Sequence, residues 1–300
     1  MLTTDHLWAI LLAAGDGVRV RSHTIDRQGQ SVPKQYFAHD GCHSMLRWAV
    51  NRAAQRVSKR QIVAVVARQH QRWWDKELPD LAPENILVQP RNKGTAAGLL
   101  FPLLDILYRD PQAKILVLPS DHHVDDEARL SLVIGDAIQA IEDTPEKVVL
   151  VGMTPEDPDT DYGWIVPDGP PKSAIRQVAA FVEKPDRATA QAIMDQGGLL
   201  NSLILVAAGR TLLHLYDLAA PDLVGSFISW PGWAQDRVSG LDELYTRLPT
   251  YDFSKQLLER SVEALAVIES STCGWSDLGT PKRLQRYRLG SAADRIRATA

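Results

Sequence analysis

The stretch Leu7–Arg21 reads LWAILLAAGDGVRVR. Its first half is an unbroken apolar run, which is typical of a β-strand that is buried on both faces. Gly15 and Gly17 follow at once, and glycine allows a tight turn in which backbone N–H groups come close to a ligand. The stretch therefore predicts a buried strand that ends in a loop suited to binding an anion such as a polyphosphate.

Similar short apolar runs recur through the first half of the chain, and segments of helical length lie between them. The predicted strands are Leu7–Ala13, Gln61–Ala67, Ile86–Gln89, Lys114–Leu118 and Lys147–Val151, and the predicted helices are Met45–Val57, Thr95–Tyr108 and Asp126–Ile141. This alternation predicts the α/β class, with a Rossmann-like, mostly parallel sheet and helices on both of its faces. Ligands of such sheets bind beyond the carboxyl ends of the strands, so the residues that follow each strand are the candidates for function.

The second half of the chain has a different sequence pattern. Thr154–Pro171 contains five prolines and predicts a long excursion over the surface. The sequence then predicts a strand over Ser173–Glu183, a helix over Arg187–Gln196 and a mixed region that continues to about Leu289.

Nothing along the chain marks a flexible linker or an internal repeat. We therefore predict a single domain over residues 1–289, with one half at about 1–152 and a smaller, mixed half at 153–289. Residues 290–300 are small and charged, which predicts a frayed tail.

Composition and charge exclude several classes of protein. Of the 300 residues, 45% are hydrophobic and 23% are charged, values typical of a chain that folds. The net charge of −4 argues against a protein that holds nucleic acid. The apolar runs are much shorter than the ~20 residues that span a bilayer, and two cysteines are too few for a disulfide framework. We therefore expect a cytoplasmic protein with neither a membrane nor a nucleic-acid partner.

Positive charges surround the glycine loop. Arg19 and Arg21 follow it directly, and Pro33 then holds Lys34, a second and mobile cation. Arginine binds phosphate oxygens through two parallel hydrogen bonds, so this arrangement favours a nucleoside polyphosphate as ligand. An ordinary strand-to-helix turn with solvated arginines is the alternative. Neither the third glycine of a dinucleotide-binding loop nor the G-K-[ST] of a P-loop follows, which disfavours those two kinds of site.

Together, LAAGDGVRVR at residues 12–21 and PKQ at residues 33–35 resemble the signature of the sugar-phosphate nucleotidyltransferases, the nucleotide-sugar pyrophosphorylases. This resemblance implies the nucleotide-diphospho-sugar transferase type of fold and a glycine-rich loop that wraps a nucleoside triphosphate, with Arg19 and Lys34 bound to its phosphates. The residues that the resemblance assigns to the nucleotide loop are Ala13, Ala14, Gly15 and Gly17. Val18 departs from the family, which commonly has threonine at this position.

The segment Gln89–Ala96 (QPRNKGTA) resembles the family element that contacts the nucleobase, and the resemblance assigns Gln89, Gly94 and Thr95 to that role. The segment joins a strand end to a helix N-terminus, where free backbone donors can face a base or a phosphate. The alternative is that Thr95 only caps the helix, and the two roles are compatible. With PKQ, this version of the element is most similar to the mannose-1-phosphate guanylyltransferases.

Two carboxylates are candidates for binding Mg²⁺, a hard cation that prefers oxygen ligands. Asp121 follows a predicted strand in PSDH, residues 119–122, and Asp277 lies in WSDLGT, residues 275–280. Taken alone, Asp121 would be interpreted as a residue that caps a turn. Both segments resemble family elements, and the first of these carries a magnesium ligand, so the resemblance implies that the two carboxylates converge on one Mg²⁺ ion.

Three segments of the second half resemble the family's sugar-phosphate pocket. They are YGWI at residues 162–165, FVEKP at residues 181–185 and NS at residues 201–202. The residues that the resemblance assigns to the pocket are Tyr162, Gly163, Glu183, Lys184 and Asn201. Glu183 is expected to accept hydrogen bonds from sugar hydroxyls, and Lys184 to reach the sugar phosphate. Leu200 and Leu203 stand where the family commonly has tryptophan and either glycine or phenylalanine, which leaves the hexose open.

The resemblance implies an enzyme that makes a nucleotide-sugar and pyrophosphate from a nucleoside triphosphate and a sugar 1-phosphate. GTP and mannose 1-phosphate, which give GDP-mannose, are the substrates that it favours, with Mg²⁺ as cofactor. Arg19, Lys34 and Asp121 are the expected catalytic residues. A non-catalytic, regulatory nucleotide-sugar-binding paralogue, a glycosyltransferase, and a pyrophosphorylase for another nucleotide or hexose are the alternatives. The sequence also leaves a homo-oligomer open.

Overall fold

The computed structural model describes residues 6–39, 41–169, 174–234, 238–270 and 272–287. Within these ranges the nine strands are β1 (Leu7–Ala13), β2 (Ile62–Ala67), β3 (Ile86–Gln89), β4 (Lys114–Pro119), β5 (Val148–Met153), β6 (Gly163–Pro167), β7 (Arg176–Glu183), β8 (Leu199–Ala208) and β9 (Leu265–Ser270). The eight α-helices there are α1 (Met45–Ala54), α2 (Gln71–Glu77), α3 (Gly94–Arg109), α4 (Glu127–Asp143), α5 (Arg187–Asp195), α6 (Gly209–Ala219), α7 (Pro221–Ile228) and α8 (Leu241–Arg247). Short 3₁₀ turns connect several of these elements, and a π-helical turn covers Ser254–Leu258.

All nine strands of the described chain belong to one sheet, in the order β3-β2-β1-β4-β8-β5-β9-β7-β6, with a further pairing of β8 with β6. The pairs β3–β2, β2–β1, β1–β4 and β5–β9 are parallel. β8 and β7 run antiparallel to their neighbours, and the other seven strands share one direction. The predicted α/β class and its mostly parallel sheet are confirmed, and the strands of the second half extend this same sheet.

The side chains of β1 alternate between the two faces of the sheet, because successive residues of a strand point in opposite directions. Ala9 and Leu11 belong to a buried cluster that includes Leu46 of α1. Ile10 belongs to a second cluster, which includes Phe101 of α3. Helices therefore cover both faces, and this explains why the sequence of β1 is apolar without interruption.

The observed element bounds agree closely with the sequence prediction in the first half of the chain. β1 and β3 match their predicted ranges to the residue, and α3 and α4 differ by one or two residues at each end. The predicted tail at residues 290–300 lies outside the described residues.

The prediction of a continuous excursion over Thr154–Pro171 is wrong, because β6 occupies Gly163–Pro167 within it. This strand is central to the second half: Trp164 and Ile165 are fully buried, and β6 pairs with both β7 and β8. A strand of five residues gives a weak pattern, and the prolines in the surrounding sequence conceal it.

In the described part of the chain, none of the helices combines the length and the apolar character needed to cross a membrane. The longest of them, α4, has 17 residues, and its sequence EARLSLVIGDAIQAIED contains five charged side chains.

We expect Leu46→Ala to lower the free energy of unfolding by about 2–5 kcal/mol, because truncation of a fully buried leucine leaves a cavity. Leu132→Ala on α4 is the matched control. Leu132 is 68% exposed, so the same change there should alter the free energy of unfolding by no more than about 0.5 kcal/mol. Denaturant unfolding followed by circular dichroism measures both variants. Equal losses in the free energy of unfolding of the two variants would contradict the placement of α1 against the sheet.

Candidate active site

The loop after β1 turns at Gly17, whose φ of 58° lies in the left-handed region. A Cβ atom at this position would lie 3.0 Å from the backbone nitrogen of Lys34. Glycine is therefore what lets the two segments approach this closely. Val18–His23 form a short 3₁₀ turn immediately afterwards. The glycine loop and the PKQ segment, 17 residues apart in sequence, thus lie side by side at the end of β1.

Gln35 and Tyr36 hold the carbonyl groups of this loop. The Gln35 Nε2 atom donates to the carbonyl oxygens of Ala13, at 3.0 Å, and Gly15, at 2.7 Å. The Tyr36 hydroxyl also donates to the Ala13 carbonyl, at 3.1 Å. These bonds satisfy the carbonyl groups at the end of a buried strand and fix the course of the loop. In the sequence, Gln35 is marked only by the resemblance of PKQ to the family signature. The sequence did not predict that Gln35 supports the glycine loop.

Lys34 joins three segments that are far apart in the sequence. Its Nζ atom lies 2.7 Å from Oδ2 of Asp121, which follows β4, and also donates to the backbone carbonyl oxygen of Asp277. The Lys34 side chain is 5% exposed, whereas that of Asp121 is 38% exposed. The expectation of a mobile Lys34 is therefore wrong, because a buried ammonium group with two partners is held in one position.

The Lys34 ammonium keeps Asp121 ionised, and burial keeps His122 neutral. Burial alone would raise the pKa of Asp121, but the Lys34 ammonium outweighs it and holds the pKa below its ordinary value. Burial lowers the pKa of His122 to about 4, although the Asp121 carboxylate opposes the shift. Trp275 Nε1 donates to His122 Nδ1 at 3.2 Å, which assigns the ring proton of the neutral imidazole to Nε2.

One carboxylate oxygen of Asp277 accepts three hydrogen bonds. Its Oδ1 atom accepts from the Tyr162 hydroxyl at 2.8 Å and from the Gly279 N–H at 2.9 Å. Nη1 of Arg283 lies 2.8 Å from the same oxygen. Burial would raise the pKa of Asp277, but Lys34 and Arg283 outweigh it and lower the value to about 2. No motif in the sequence pointed to Arg283, one of several arginines near the end of the chain.

Asp121 and Asp277 both contact Lys34 and so lie close together. Within the ranges that the structure describes, no group of three or more His, Cys, Asp or Glu side chains is arranged to hold a metal ion. Two carboxylates nevertheless suit Mg²⁺, because this ion takes one or two protein carboxylates and fills its other positions with water and substrate phosphates. Oδ2 of Asp277 and the exposed carboxylate of Asp121 are the oxygens that fit this ion.

A small cavity of about 160 Å³ lies beside these carboxylates. Its walls contain all five residues predicted to form a sugar-phosphate pocket, and also one residue from each of the predicted nucleotide and metal groups. These seven are Thr95, Tyr162, Gly163, Glu183, Lys184, Asn201 and Asp277. The remaining walls are polar, apart from Leu203. The structure thus brings residues from both halves of the chain to one place.

Gly163 leaves room for the carboxylate of Glu183. The two residues face each other across β6 and β7, and a Cβ atom on Gly163 would lie 2.5 Å from Glu183 Oε2. Burial raises the pKa of Glu183, opposed by Lys184, whose Nζ atom lies 2.7 Å from Oε1. A carboxylate held in this way is a good acceptor for hydroxyl groups. Lys184 has a φ of 49°, a conformation uncommon outside glycine.

Asn201 is nearly buried and uses its amide inside the protein. Its Oδ1 atom accepts from the Leu203 N–H at 3.1 Å, and its Nδ2 atom lies 3.4 Å from Oγ of Ser254. The first bond closes a tight turn within β8, where Leu203 has a φ of 57°. Asn201 therefore holds an irregular strand segment whose residues form part of the cavity wall.

The residues after β3 pack against a segment of the second half. At Gly94, with a φ of 85°, a Cβ atom would overlap the carbonyl oxygen of Tyr251. The Thr95 hydroxyl accepts from the Phe253 N–H at 2.7 Å and so joins α3 to this segment. The alternative that Thr95 caps the helix is wrong, because α3 begins one residue earlier, at Gly94, and Thr95 lies inside its first turn. Gln89 is 2% exposed, and its Nε2 atom has no hydrogen-bond partner among the described residues. Gly94 thus permits a close contact with another segment of the protein, the backbone at Tyr251.

Arg19 is the more exposed of the two predicted phosphate-binding cations. Its side chain is 57% exposed, and Nη1 lies 3.6 Å from Oδ1 of Asp161, which lines the small cavity. A Cβ atom on Gly279 would lie 3.2 Å from the Nη2 atom of Arg19. The Arg19 guanidinium therefore lies next to the turn that follows Asp277.

The fold and this geometry define an α/β protein with a glycine-rich loop, two carboxylates beside one buried lysine and an adjoining polar cavity. The Nucleotidyl transferase family model matches residues 8–290. The chain therefore belongs to the nucleotidyl transferase family.

Two relatives are similar over nearly all of the chain. The xanthan biosynthesis protein XanB of Xanthomonas campestris pv. campestris is 30% identical over 278 residues, which cover 90% of this chain and 57% of XanB. The mannose-1-phosphate guanylyltransferase of Escherichia coli is 27% identical over 301 residues, which cover 93% of this chain and 59% of that protein. This chain thus spans little more than half the length of these two relatives.

A solved structure described as mannose-1-phosphate geranyltransferase from Thermus thermophilus is similar with a TM-score of 0.78 and 24% identity. The match covers 91% of this chain and 76% of that one. At this level of identity the likeness supports the fold.

We expect Gln35→Ala to lower the free energy of unfolding by about 1–3 kcal/mol, because the Gly15 carbonyl loses its donor and the Ala13 carbonyl keeps only Tyr36. Gln191→Ala on the exposed face of α5 is the matched control, and its effect should stay within about 0.5 kcal/mol. Urea unfolding measures both variants. If Gln35→Ala were as stable as the control, Gln35 would not support the loop.

Proposed function

We propose that this protein transfers a nucleotidyl group from a nucleoside triphosphate to a sugar 1-phosphate and releases pyrophosphate. One observation carries the proposal: Lys34 joins the glycine loop to Asp121 and to the Asp277 segment, beside a polar cavity. A loop suited to phosphates, two carboxylates and hydrogen-bonding groups for a hydroxylated substrate therefore lie together at one edge of the sheet. The reaction joins two phosphorylated substrates, and this edge offers a place for each.

In the proposed reaction, an oxygen of the sugar phosphate attacks the α-phosphorus of the nucleotide. A new P–O bond forms, the bond from the α-phosphorus to the α–β bridging oxygen breaks, and pyrophosphate leaves with the electron pair. The nucleophile is already an anion at neutral pH, so the neutral His122 is not needed as a base. The main requirement is to bring two repelling anions into line. The cations that would lower this repulsion are Arg19, which follows the glycine loop, and Lys184, which lines the cavity.

Asp121 and Asp277 would hold Mg²⁺ in this site. When bound there, the ion supplies neutralisation of the phosphate charges. Lys34 keeps Asp121 ionised and in place, and Arg283 does the same for Asp277. The contribution of the protein is thus a pair of carboxylates that are ionised and held before the substrates bind.

GTP and mannose 1-phosphate are the substrates that we propose, with GDP-mannose as the product. The name of the Escherichia coli relative, mannose-1-phosphate guanylyltransferase, supports both choices. Leu203 lines the cavity at a position where the family commonly has glycine or phenylalanine, so the hexose is the first substrate to test. A cytoplasmic location and a homo-oligomer stay predictions from the sequence.

A panel of nucleotides against sugar 1-phosphates tests the proposal, with pyrophosphate as the readout. We expect pyrophosphate from GTP and mannose 1-phosphate in the presence of Mg²⁺. The value of kcat/KM for GTP should exceed that for ATP at least about tenfold, because mismatched polar groups in a purine site cost ~1–3 kcal/mol each. Asp121→Ala, which removes a charged and half-exposed group, is the inactive control.

Each other outcome of the panel has a definite meaning. Pyrophosphate from no pair of substrates would leave the non-catalytic binding protein as the function. Release of a free nucleotide would indicate a glycosyltransferase. Preference for a pyrimidine nucleotide would contradict GTP as the substrate and keep the reaction class.

Glu183→Gln should raise the KM for the sugar 1-phosphate about 10- to 100-fold, the effect of removing a hydrogen bond to a charged acceptor. Gly163→Ala should act in the same direction, because its Cβ atom would displace the Glu183 carboxylate. Gly225→Ala, on α7 with no atom near the added Cβ, is the matched control. The KM for the nucleotide should change little in all three variants. Unchanged sugar-phosphate constants in the first two would show that the cavity does not bind the sugar.

A further inference from the structure

Asp16 places a carboxylate inside the glycine loop, between Gly15 and Gly17. Its Oδ1 atom accepts from Nε2 of Gln69 at 3.1 Å, and its Oδ2 atom lies 3.4 Å from Nδ2 of Asn92. The side chain of Asp16 is 34% exposed. A carboxylate in a loop that holds a triphosphate repels the phosphates, so the presence of this acidic side chain calls for a compensating interaction.

The partners of Asp16 show the direction in which its carboxylate points. Gln69 lies in the turn after β2, and Asn92 follows β3. Because the strand order is β3-β2-β1-β4, both partners lie on the side of β1 away from Asp121, which follows β4. The Asp16 carboxylate is therefore turned away from Lys34 and the two candidate metal ligands.

The proposed reaction sets the direction in which a nucleoside triphosphate lies between the glycine loop and the cavity. Its α-phosphorus must lie next to the sugar-phosphate cavity, which Asp277 borders. The glycine loop and Arg19 take the remaining phosphates. The nucleoside then extends toward the ends of β2 and β3, where the Asp16 carboxylate lies.

We propose that Asp16 is a specificity-determining residue that accepts hydrogen bonds from N–H or O–H donors of the nucleoside. This inference rests on the proposed function. An ionised carboxylate has about four lone-pair sites and no donor. Gln69 and Asn92 occupy two of these sites, and Nε2 of His70 lies 3.6 Å from Oδ1. The remaining sites match the adjacent N1–H and N2–H donors of guanine, and also the ribose hydroxyls. Adenine has no donor at N1 or C2, so the carboxylate would favour guanine over adenine.

Substitution of Asp16 tests the proposal through the ratio between nucleotides. Removal of the charge lowers the repulsion of every triphosphate alike, so a change in a single affinity is not informative, whereas a change in the ratio is. We would measure kcat/KM for GTP, ITP, ATP, 2′-deoxy-GTP and 3′-deoxy-GTP with Asp16→Asn, Asp16→Ala and the unmodified protein. Asp75→Asn, the same chemical change on the exposed side of α2, is the matched control.

We expect Asp16→Asn to lower the ratio of GTP to ATP by about 10- to 100-fold, the effect of losing hydrogen bonds to a charged acceptor. ITP, which lacks the 2-amino group, should lose less than GTP. If the ribose is the donor, GTP, ITP and ATP should lose alike, and one of the two deoxy analogues should lose nothing. Either pattern supports Asp16 as an acceptor for the nucleoside.

Two results would overturn the inference. One is an equal change for all five nucleotides, which would show that Asp16 acts only by positioning the loop through Gln69 and Asn92. The other is no change for any of them. Failure of the proposed function is distinct from both, because it would show as the absence of pyrophosphate with the unmodified protein.

Discussion

The buried ammonium group of Lys34 is the contact on which the rest of the site depends. A charge removed from water is tolerated only where partners compensate it, and Lys34 finds these partners in the Asp121 carboxylate and the Asp277 carbonyl. The first follows strand β4, and the second lies more than 240 residues away in sequence. The path of the loop after β1 is thereby coupled to the position of the segment near the end of the chain. Gln35, the next residue, fixes the same loop from its other side through the Ala13 and Gly15 carbonyls.

Each of the two candidate metal-binding carboxylates has a cation beside it. Asp121 and Asp277 repel each other, which raises the pKa of Asp121, and Lys34 outweighs this effect. Arg283 adds a second cation on the far side of Asp277 and also binds Asp159. His122 adds no charge near neutral pH, since burial lowers its pKa to about 4. Asp121 and Asp277 are thus each held in place by a cation, and polar groups held in this way need no reorganisation when charge develops during a reaction.

The sequence predicted those parts of the fold and site that have a local cause. The apolar strands β1 and β3 are marked by their own composition, and Asp121 is marked by its place at a strand end. The cavity residues were predicted only through a resemblance, yet the structure brings all five to one place. The contacts of Arg283 and Asp16 could not be predicted from the sequence, because their partners are distant in sequence and leave no pattern. Strand β6 was missed for a different reason: five residues among prolines are too few to show a period.

The glycines of this protein show why a motif can mark a site without marking its ligand. Glycine at positions 17, 94 and 163 suggests a backbone that a ligand approaches closely, but in the structure each of these positions is approached by the protein itself. Gly17 admits the backbone of Lys34, Gly94 admits the carbonyl of Tyr251, and Gly163 admits the carboxylate of Glu183. In one of the three cases, Gly94, the neighbour comes from a segment well separated in sequence, so a side chain at this glycine would push two parts of the chain apart. The glycines therefore lie where separate segments meet, and a cleft forms at such a place because no single segment fills it. The pattern that identifies the cleft in the sequence is thus a consequence of how its walls are assembled.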